Sequence, residues 1–327
     1  MSLRDLARRG LALAHVALGA SRRARRQLDG SRAVVLMYHR VLPAPEARRD
    51  AVEDGMYVAP ETFGRHLDWL RDEFRVLPLH EIADRLGSGR PLPERACAIT
   101  FDDGWRDNAE HALPELERRG LPATLFVVTE RMGTDGAFWP DEVCRRLRPL
   151  AAQARAALAA RLGAGPARDP LAGLLEHLKA LPEDERERAL EALRAATRAP
   201  EPRGRELLSW DELDRLARCG VDVESHGATH AILPHLGEDA IRRELHTARE
   251  RLRERGHGRH ALLAYPSGAH DERVVRIAGE LGHRAAVTVE RGLARTGGDP
   301  LRIPRVGLHE DISRTRVEFL WKSVPAA

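Results

Sequence analysis

Short apolar runs alternate with amphipathic segments along most of the chain. The apolar runs have the length of buried strands and comprise Ala33–Tyr38, Ala96–Thr100, Ala123–Val128, Val221–Glu224, Ala261–Ala264 and Ala285–Val289. Between them, apolar residues recur at helical spacing in Glu61–Phe74, Asn108–Arg119, Glu238–Arg255 and Glu272–Leu281. Because strands and helices alternate, the chain predicts an α/β fold with parallel strands that close, or nearly close, into a barrel.

One segment interrupts this alternation. Arg145–Arg205 is rich in Ala, Arg, Leu and Glu, is punctuated by prolines and has no strand pattern. It predicts two or three short helices. We therefore expect one domain over residues 33–327, with a helical insertion over one barrel loop at about residues 140–205.

Composition is typical of a soluble globular chain. Hydrophobic residues make up 43% and charged residues 31%, and no run of eighteen apolar residues predicts a transmembrane helix. The three cysteines, Cys97, Cys144 and Cys219, lie far apart and form neither a disulfide framework nor a CxxC zinc pattern. Such cysteine use is typical of a reducing compartment, so a cytoplasmic location is expected.

Residues 1–32 form a basic segment. Eight arginines and two aspartates give it a charge of +6, whereas the net charge of the whole chain is +3, so the remainder is slightly acidic. A nucleic-acid enzyme is disfavoured, because its basic face should belong to the folded domain. Apolar residues at helical spacing predict an interfacial helix at an anionic membrane surface, namely Leu3, Leu6, Leu13 and Val16. A solvated helix and a signal peptide cut after Ala20 are the alternatives, although the arginines after Ala20 oppose export.

Two adjacent carboxylates, Asp102 and Asp103, follow the second predicted strand in the sequence Thr-Phe-Asp-Asp-Gly. Like charges this close raise one pKa unless a cation relieves them, which suggests a bound cation. A solvated turn is the alternative, because Asp-Asp-Gly is also ordinary loop composition.

Two histidines, His226 and His230, follow a later predicted strand. If this turn is helical, residues four apart share one face with Cβ atoms about 5–6 Å apart, a separation that allows both rings to hold one metal ion. The carboxyl ends of barrel strands are where active sites of parallel barrels are built, so the aspartates and histidines are expected to form one site.

Together, TFDDG and the downstream SHxxxH closely resemble the first two signature motifs of the NodB-homology polysaccharide deacetylases, carbohydrate esterase family four. The resemblance extends over about Ala33–Arg305, and Val35–Val41 is similar to the opening strand of bacterial members that act on exopolysaccharides. It implies a distorted (β/α) barrel that removes N-acetyl, or alternatively O-acetyl, groups from a carbohydrate in exopolysaccharide or cell-envelope metabolism.

The resemblance also implies roles for the four motif residues. Asp102 would be the general base, and Asp103, His226 and His230 would bind a divalent ion, Zn²⁺ or alternatively Co²⁺ or Ni²⁺. Such an ion polarises a carbonyl and lowers the pKa of water, and three protein ligands leave positions open for water and substrate.

The chain departs from the family's Arg-x-Pro-aromatic-Gly segment, which here reads Ala264-Tyr265-Pro266-Ser267-Gly268. The backbone N–H of Ser267 remains a candidate oxyanion donor, because it does not depend on the side chain. Tyr265 is a candidate substrate contact. Arg305 is expected to orient the base in place of the missing arginine, with a structural ion pair as the equal alternative.

The proton donor has two candidates. The family uses a histidine in a late Leu-x-His motif, and His309 after Leu308 is the nearest match. His39, which follows the first strand, is the rival, and a surface histidine is the alternative reading of either. We favour His309 slightly.

Three aromatic residues near the predicted mouth, Trp105, Phe138 and Trp139, are candidates for stacking on a sugar ring. The alternative is that these rings anchor the core of the insertion.

Two other functions remain open from the sequence. A non-haem iron oxygenase uses the same two-histidine, one-carboxylate set, although usually on a double-stranded β-helix. The changes at Ala264 and Ser267 also allow a degenerate homologue that only binds glycan.

Overall fold

In the computed structural model of the protein, residues 26–136, 138–198 and 204–325 are described. The chain divides into two compact units, the first formed by residues up to 43, 55–134 and 207 onwards, the second by residues 44–54 and 135–206. The expected interfacial helix lies outside the described residues. Arg32, assigned above to the basic segment, is the first residue of the first strand.

The first unit contains all the strands. In chain order these are β1 (Arg32–Tyr38), β2 (Arg40–Val41), β3 (Tyr57–Val58), β4 (Arg75–Val76), β5 (Ala96–Phe101), β6 (Ala123–Val127), β7 (Val221–Ser225), β8 (Leu262–Ala264), β9 (Ala285–Arg291), β10 (Ala294–Arg295) and β11 (Ile303–Gly307). Seven of them pair in the order β1-β11-β9-β8-β7-β6-β5, and β5 pairs back onto β1. Every pairing in this ring is parallel, which confirms the predicted (β/α) barrel.

Helices connect the strands. They are α1 (Ala44–Arg49), α2 (Pro60–Glu73), α3 (Leu79–Ser88), α4 (Leu113–Arg119), α5 (Trp139–Leu147), α6 (Ala152–Arg161), α7 (Pro170–Ala180), α8 (Glu183–Ala196), α9 (Trp210–Arg218), α10 (Glu238–Glu254), α11 (Glu272–Glu280), α12 (Glu310–Ser313) and α13 (Arg316–Ser323). A π-helix, Asn108–Ala112, precedes α4. Across the described residues, no helix combines the length and apolar character needed to cross a bilayer.

Local sequence signals set several helix ends. Pro60 stands at the first turn of α2, where a missing backbone donor has no consequence. Ser209 and Glu212 form a capping box at the start of α9. Gly120 ends α4 in the left-handed conformation, as its position in the sequence predicts.

The strands β5 and β6 are buried on both faces, as parallel strands covered by helices should be. All residues of β5 and β6 are buried. Outside β8 and β9, apolar residues of α10 and α11 form one core cluster that includes Leu245 and Val274. This packing fixes the strand ends, and therefore the loops that carry the candidate site.

The described part of the second unit is helical and has its own core of leucines and other apolar residues from α5 to α8. Trp139 is partly buried against this core, and the Arg186 guanidinium lies 5.6 Å from its ring centre. Phe138 is buried as well. Within their unit these two rings therefore pack as structural anchors, which corrects the expectation of an open sugar-stacking surface at Phe138 and Trp139.

Buried histidines predict how stability depends on pH. Burial lowers the pKa of His66 and of His283 from 6.5 to about 4. His66 Nε2 donates to the Ser313 carbonyl (2.6 Å), and Nδ1 accepts from the Tyr38 hydroxyl (3.2 Å), so the neutral ring is fully paired. Between pH 6.5 and 4 the unfolded chain binds more protons than the folded one, and the free energy of unfolding should fall as pH is lowered through this window.

We expect each of these histidines to contribute up to about 1.4 kcal/mol per pH unit to that slope. Urea unfolding at several pH values between 7 and 4.5 measures it. His283→Leu should flatten the slope, whereas His246→Leu, at an exposed position, should not. Equal slopes for wild type and His283→Leu would contradict the assignment.

Candidate active site

The two motifs found in the sequence meet at the carboxyl end of the barrel. Asp102 and Asp103 follow β5, and His226 and His230 follow β7, two strands away in the same ring. Asp103 Oδ1 lies 3.4 Å from His226 Nε2 and 3.6 Å from His230 Nε2. One ligand atom from each of these three side chains lies within 4.8 Å of the others.

These separations suit a metal ion. Ligands about 2.1 Å from a tetrahedral ion are about 3.4 Å apart, close to the distances observed. His226 Nδ1 donates to the Ala264 carbonyl (2.8 Å), which orients the ring so that Nε2 is directed at Asp103. Trp105 Nε1 donates to Asp103 Oδ2 (2.9 Å), which leaves Oδ1 for the cluster. The donor set and its supporting hydrogen bonds therefore fit a divalent ion.

The histidines converge by a different route from the helical turn considered above. Residues 226–230 form no helix. Gly227 and His230 instead have φ angles of 80° and 71°, and the resulting loop brings the two ring centres to 5.0 Å. Glycine adopts this left-handed backbone without penalty, whereas His230 does so with strain.

Three residues at this end of the barrel have a strained backbone. Asp103, His230 and Ser267 all have positive φ, and each belongs to a candidate site loop. Gly104, with φ of 83°, follows the aspartates at a point where an added Cβ would lie 2.8 Å from Met132 Cε. Non-glycine residues with positive φ persist where the surrounding structure imposes them, commonly at functional sites.

Arg305, from β11, holds Asp102 with two parallel hydrogen bonds. Its Nη1 donates to Oδ1 (2.8 Å) and its Nη2 to Oδ2 (2.6 Å). The guanidinium is fixed in turn by donation to Thr100 Oγ1 (3.1 Å) and to the Thr288 carbonyl (2.8 Å). Arg305 is 1% exposed and Asp102 is 2% exposed, so this is a fully buried, bidentate ion pair.

Both carboxylates are ionised despite their burial. Burial opposes ionisation of Asp102, but the charges of Arg305 and His226 outweigh it and lower its pKa. Burial also opposes ionisation of Asp103, and the hydrogen bond from His226 with the charge of His39 lowers its pKa well below the usual range. Burial, with the neighbouring His226, lowers the pKa of His230 to about 4, so this ring is neutral and able to bind a metal.

Two predicted substrate contacts are buried instead. Trp105 is 2% exposed. The Arg40 guanidinium lies 4.1 Å from the Trp105 ring centre, and the indole N–H of Trp105 donates a hydrogen bond to Asp103. Tyr265 is also fully buried, and its hydroxyl donates to the Leu301 carbonyl (2.9 Å). Trp105 therefore positions a ligand residue and Tyr265 packs in the core, which corrects the expectation that these rings contact substrate.

The two candidate proton donors are placed differently. His39 Nε2 lies 4.0 Å from Asp102 Oδ2, and Asn108 of the π-helix donates to the His39 carbonyl (2.9 Å). His309 instead precedes α12, with Nδ1 3.4 Å from Asp311. Among the described residues, the histidines within 4 Å of either carboxylate are His39, His226 and His230. The structure thus brings His39, rather than His309, to the aspartate pair.

The sequence profile of the polysaccharide deacetylase family matches residues 89–286, more than half of the chain, with both motifs inside the match. The chain belongs to the polysaccharide deacetylase family. This confirms the NodB-homology resemblance that the motifs indicated. The parallel barrel also removes the basis for an oxygenase, whose ligand set usually lies on a double-stranded β-helix.

Relatives of this deacetylase-family chain agree with the assignment. It is 21% identical over 261 residues to YxkH of Bacillus subtilis (strain 168), itself a proposed polysaccharide deacetylase, and the alignment covers 80% of this chain and 65% of that protein. Among solved structures it is similar to the Streptococcus pyogenes deacetylase PplD in complex with acetate, at a TM-score of 0.61 and 19% identity, covering 90% of this chain and 99% of that one. IcaB from Ammonifex degensii is also similar, at a TM-score of 0.59 and 19% identity, covering 89% of this chain and 97% of that one.

The segment that departs from the family pattern still reaches this site. Ala264 provides only its carbonyl, which orients His226. The next turn contacts the histidine loop, because a Cβ on Gly227 would lie 3.4 Å from Pro266 Cγ. Ser267 is exposed at this turn. Arg305 contacts the aspartate that the missing arginine was expected to orient.

Glu244, a residue that the sequence analysis did not single out, supports the histidine loop from α10. Its buried carboxylate accepts hydrogen bonds from the Thr229 backbone N–H (2.7 Å) and the Thr229 hydroxyl (3.1 Å). Thr229 is the residue directly before His230. The helical period of α10 did contain a signal, because Glu244 shares the apolar face with Ile241 and Ala248, where a charged side chain needs a buried partner.

We expect Glu244→Ala to weaken metal binding by about 10–100-fold, since groups that orient a ligand loop have effects of this size. The loop would lose its anchor while all three ligands remain. Competition with a chromophoric chelator measures the affinity, and Glu254→Ala, at an exposed position on the same helix, is the matched control. An unchanged affinity in Glu244→Ala would show that the loop needs no such support.

Proposed function

We propose that the protein is a metal-dependent hydrolase that removes N-acetyl groups from a carbohydrate. The observation that carries this proposal is the arrangement of a bidentate Asp102–Arg305 pair directly beside the Asp103, His226 and His230 cluster. The first provides an ionised base and the second a set of metal ligands. Membership of the polysaccharide deacetylase family supplies the substrate class.

Different residues of the chain have different roles in amide hydrolysis. A divalent ion held by Asp103, His226 and His230 supplies Lewis acidity towards the acetyl carbonyl and lowers the pKa of a water molecule. Asp102 accepts the proton of the attacking water, and Arg305 keeps that carboxylate ionised and oriented. The backbone N–H of Ser267 is our candidate donor to the developing oxyanion, since the Pro266 turn lies against the histidine loop.

An amine leaves only if it is protonated, and we assign this proton to His39 because of its 4.0 Å distance from Asp102. We expect His39→Gln to lower kcat by about 10²-fold, the lower range for loss of a general acid. His309→Gln is the matched comparison and should leave kcat nearly unchanged. If His309→Gln lowered kcat more than His39→Gln did, the proton donor would be His309 instead.

The substrate that we propose is an acetylated glycan of the exopolysaccharide or cell envelope. The similar PplD structure is that of a deacetylase in complex with acetate, which is the product expected here. Hydrolysis of an N-acetyl group needs both a base and a proton donor, and Asp102 and His39 offer both. An O-acetyl ester has a better leaving group and would depend less on His39.

Acetate release from a panel of N-acetylated and O-acetylated oligosaccharides tests this function. We expect release from at least one N-acetylated glycan, with activity lost in His226→Ala. Glycan binding without acetate release from any member of the panel would favour the degenerate, binding-only alternative.

A further inference from the structure

A second cluster of metal-ligating side chains lies outside the site described above. His80 is at the start of α3, Asp222 is in β7, and His260 precedes β8. His80 Nδ1 lies 2.8 Å from Asp222 Oδ2, and His260 Nε2 lies 3.3 Å from Asp222 Oδ1. Among the described residues, two groups of side chains have ligand atoms close enough to hold one metal ion, and this is the second of them.

The cluster lies at the opposite end of the barrel from the candidate active site. Asp222 is at the amino end of β7, whereas His226 follows its carboxyl end. The two residues are four positions apart along extended chain, which is about 13 Å. The two ligand sets therefore cannot share one ion, and the second belongs to the end of the barrel associated with stability rather than chemistry.

We propose that His80, Asp222 and His260 form a second binding site for a divalent transition-metal ion such as Zn²⁺. Two imidazole nitrogens and one carboxylate oxygen are a donor set that Zn²⁺ accepts, with further positions open to water. Each of the three side chains is between 24% and 29% exposed, so an ion reaches them without unfolding. A cavity of about 370 Å³, lined by Asp222 and His260 among others, opens beside the cluster.

The two rings need a small rearrangement to bind one ion. They stack face to face, with centroids 3.7 Å apart and planes 5° from parallel, and Asp222 bridges them. The nitrogen lone pairs of parallel rings do not converge, so the rings must tilt towards each other as the ion replaces the shared hydrogen-bond contacts. Their partial exposure leaves room for this tilt, and the donor atoms already lie within 4.8 Å of one another.

Such an ion would join three segments that are far apart in sequence. His80 and Asp222 are 142 residues apart, and His260 belongs to the loop between α10 and β8. Because the unfolded chain does not hold these donors together, metal binding here should stabilise the folded barrel. The site would thus have a structural role and is independent of the proposed deacetylase function.

Equilibrium dialysis against Zn²⁺ tests the site by counting bound ions per chain. We expect the double variant His80→Gln/His260→Gln to bind one Zn²⁺ fewer than wild type and to lose part of the Zn²⁺-dependent rise in Tm. The control His246→Gln, at an exposed position, should match wild type. His226→Ala should instead lose the ion at the candidate active site, so the two sites are tested separately.

Equal Zn²⁺ counts for wild type and His80→Gln/His260→Gln would overturn the proposal and leave the cluster as a carboxylate shared between two histidines. Circular dichroism of the metal-free double variant and of metal-free His226→Ala checks that both variants are folded. If the double variant is unfolded, the single variant His260→Gln, at a partly exposed position, provides the same comparison.

Discussion

Replacing Asp102 with Asn should lower acetate release by about 10²–10⁴-fold, the loss expected when a general base is removed. An amide cannot accept the proton of the attacking water. Asn keeps the size of Asp and one oxygen for Arg305, so the cavity around residue 102 is preserved. The three ligands, Asp103, His226 and His230, are untouched, and the metal should remain bound.

The measurement pairs kcat with metal content in Asp102→Asn, at a temperature where circular dichroism shows the variant to be folded. Asp239→Asn, an exposed position in the first turn of α10, is the matched control and should behave as wild type. If Asp102→Asn retained its metal and released acetate at the wild-type rate, Asp102 would not be the base.

Replacing Arg305 with Met should have the largest effect on stability. The change leaves the Asp102 carboxylate buried without its counter-charge, and removal of one partner from a buried ion pair lowers the free energy of unfolding by about 3–5 kcal/mol. It should also raise the pKa of Asp102, so the acid limb of the pH–activity profile should move to higher pH.

Urea unfolding and the pH dependence of kcat/KM measure these two effects. Arg305→Lys separates charge from geometry, because lysine keeps the positive charge but cannot donate two parallel hydrogen bonds. Arg295→Met, at an exposed position of β10, is the control for loss of an arginine. A stable Arg305→Met variant with an unshifted pH profile would show that the pair neither stabilises the barrel nor sets the state of Asp102.

The barrel was largely predictable from its sequence because five of its seven strands contain mainly apolar runs and a sixth, β7, alternates valines with Asp222 and Glu224. The seventh, β11, was missed, since Pro304 and Arg305 interrupt its apolar pattern. That arginine is nevertheless part of the barrel interior, where Asp102 compensates its charge. A local pattern cannot reveal such compensation, because the two residues are 203 positions apart.

The candidate metal site was predictable for a simpler reason, since Asp103, His226 and His230 all follow predicted strands and parallel strands bring those ends together. The role of the aromatic residues was not. Trp105 is covered because its N–H hydrogen-bonds Asp103 and its ring packs on Arg40, contacts that depend on tertiary structure. The placement of His39, rather than His309, beside Asp102 likewise depends on distances that motif spacing does not contain.

We infer that the Asp103, His226 and His230 cluster makes this protein a metal-dependent deacetylase. The most direct test is acetate release from an N-acetylated oligosaccharide before chelation, after removal of metal, and after a single divalent ion is restored. We expect activity to disappear with the metal and to return on reloading in wild type but not in His230→Ala. Undiminished acetate release from metal-free protein would contradict the account.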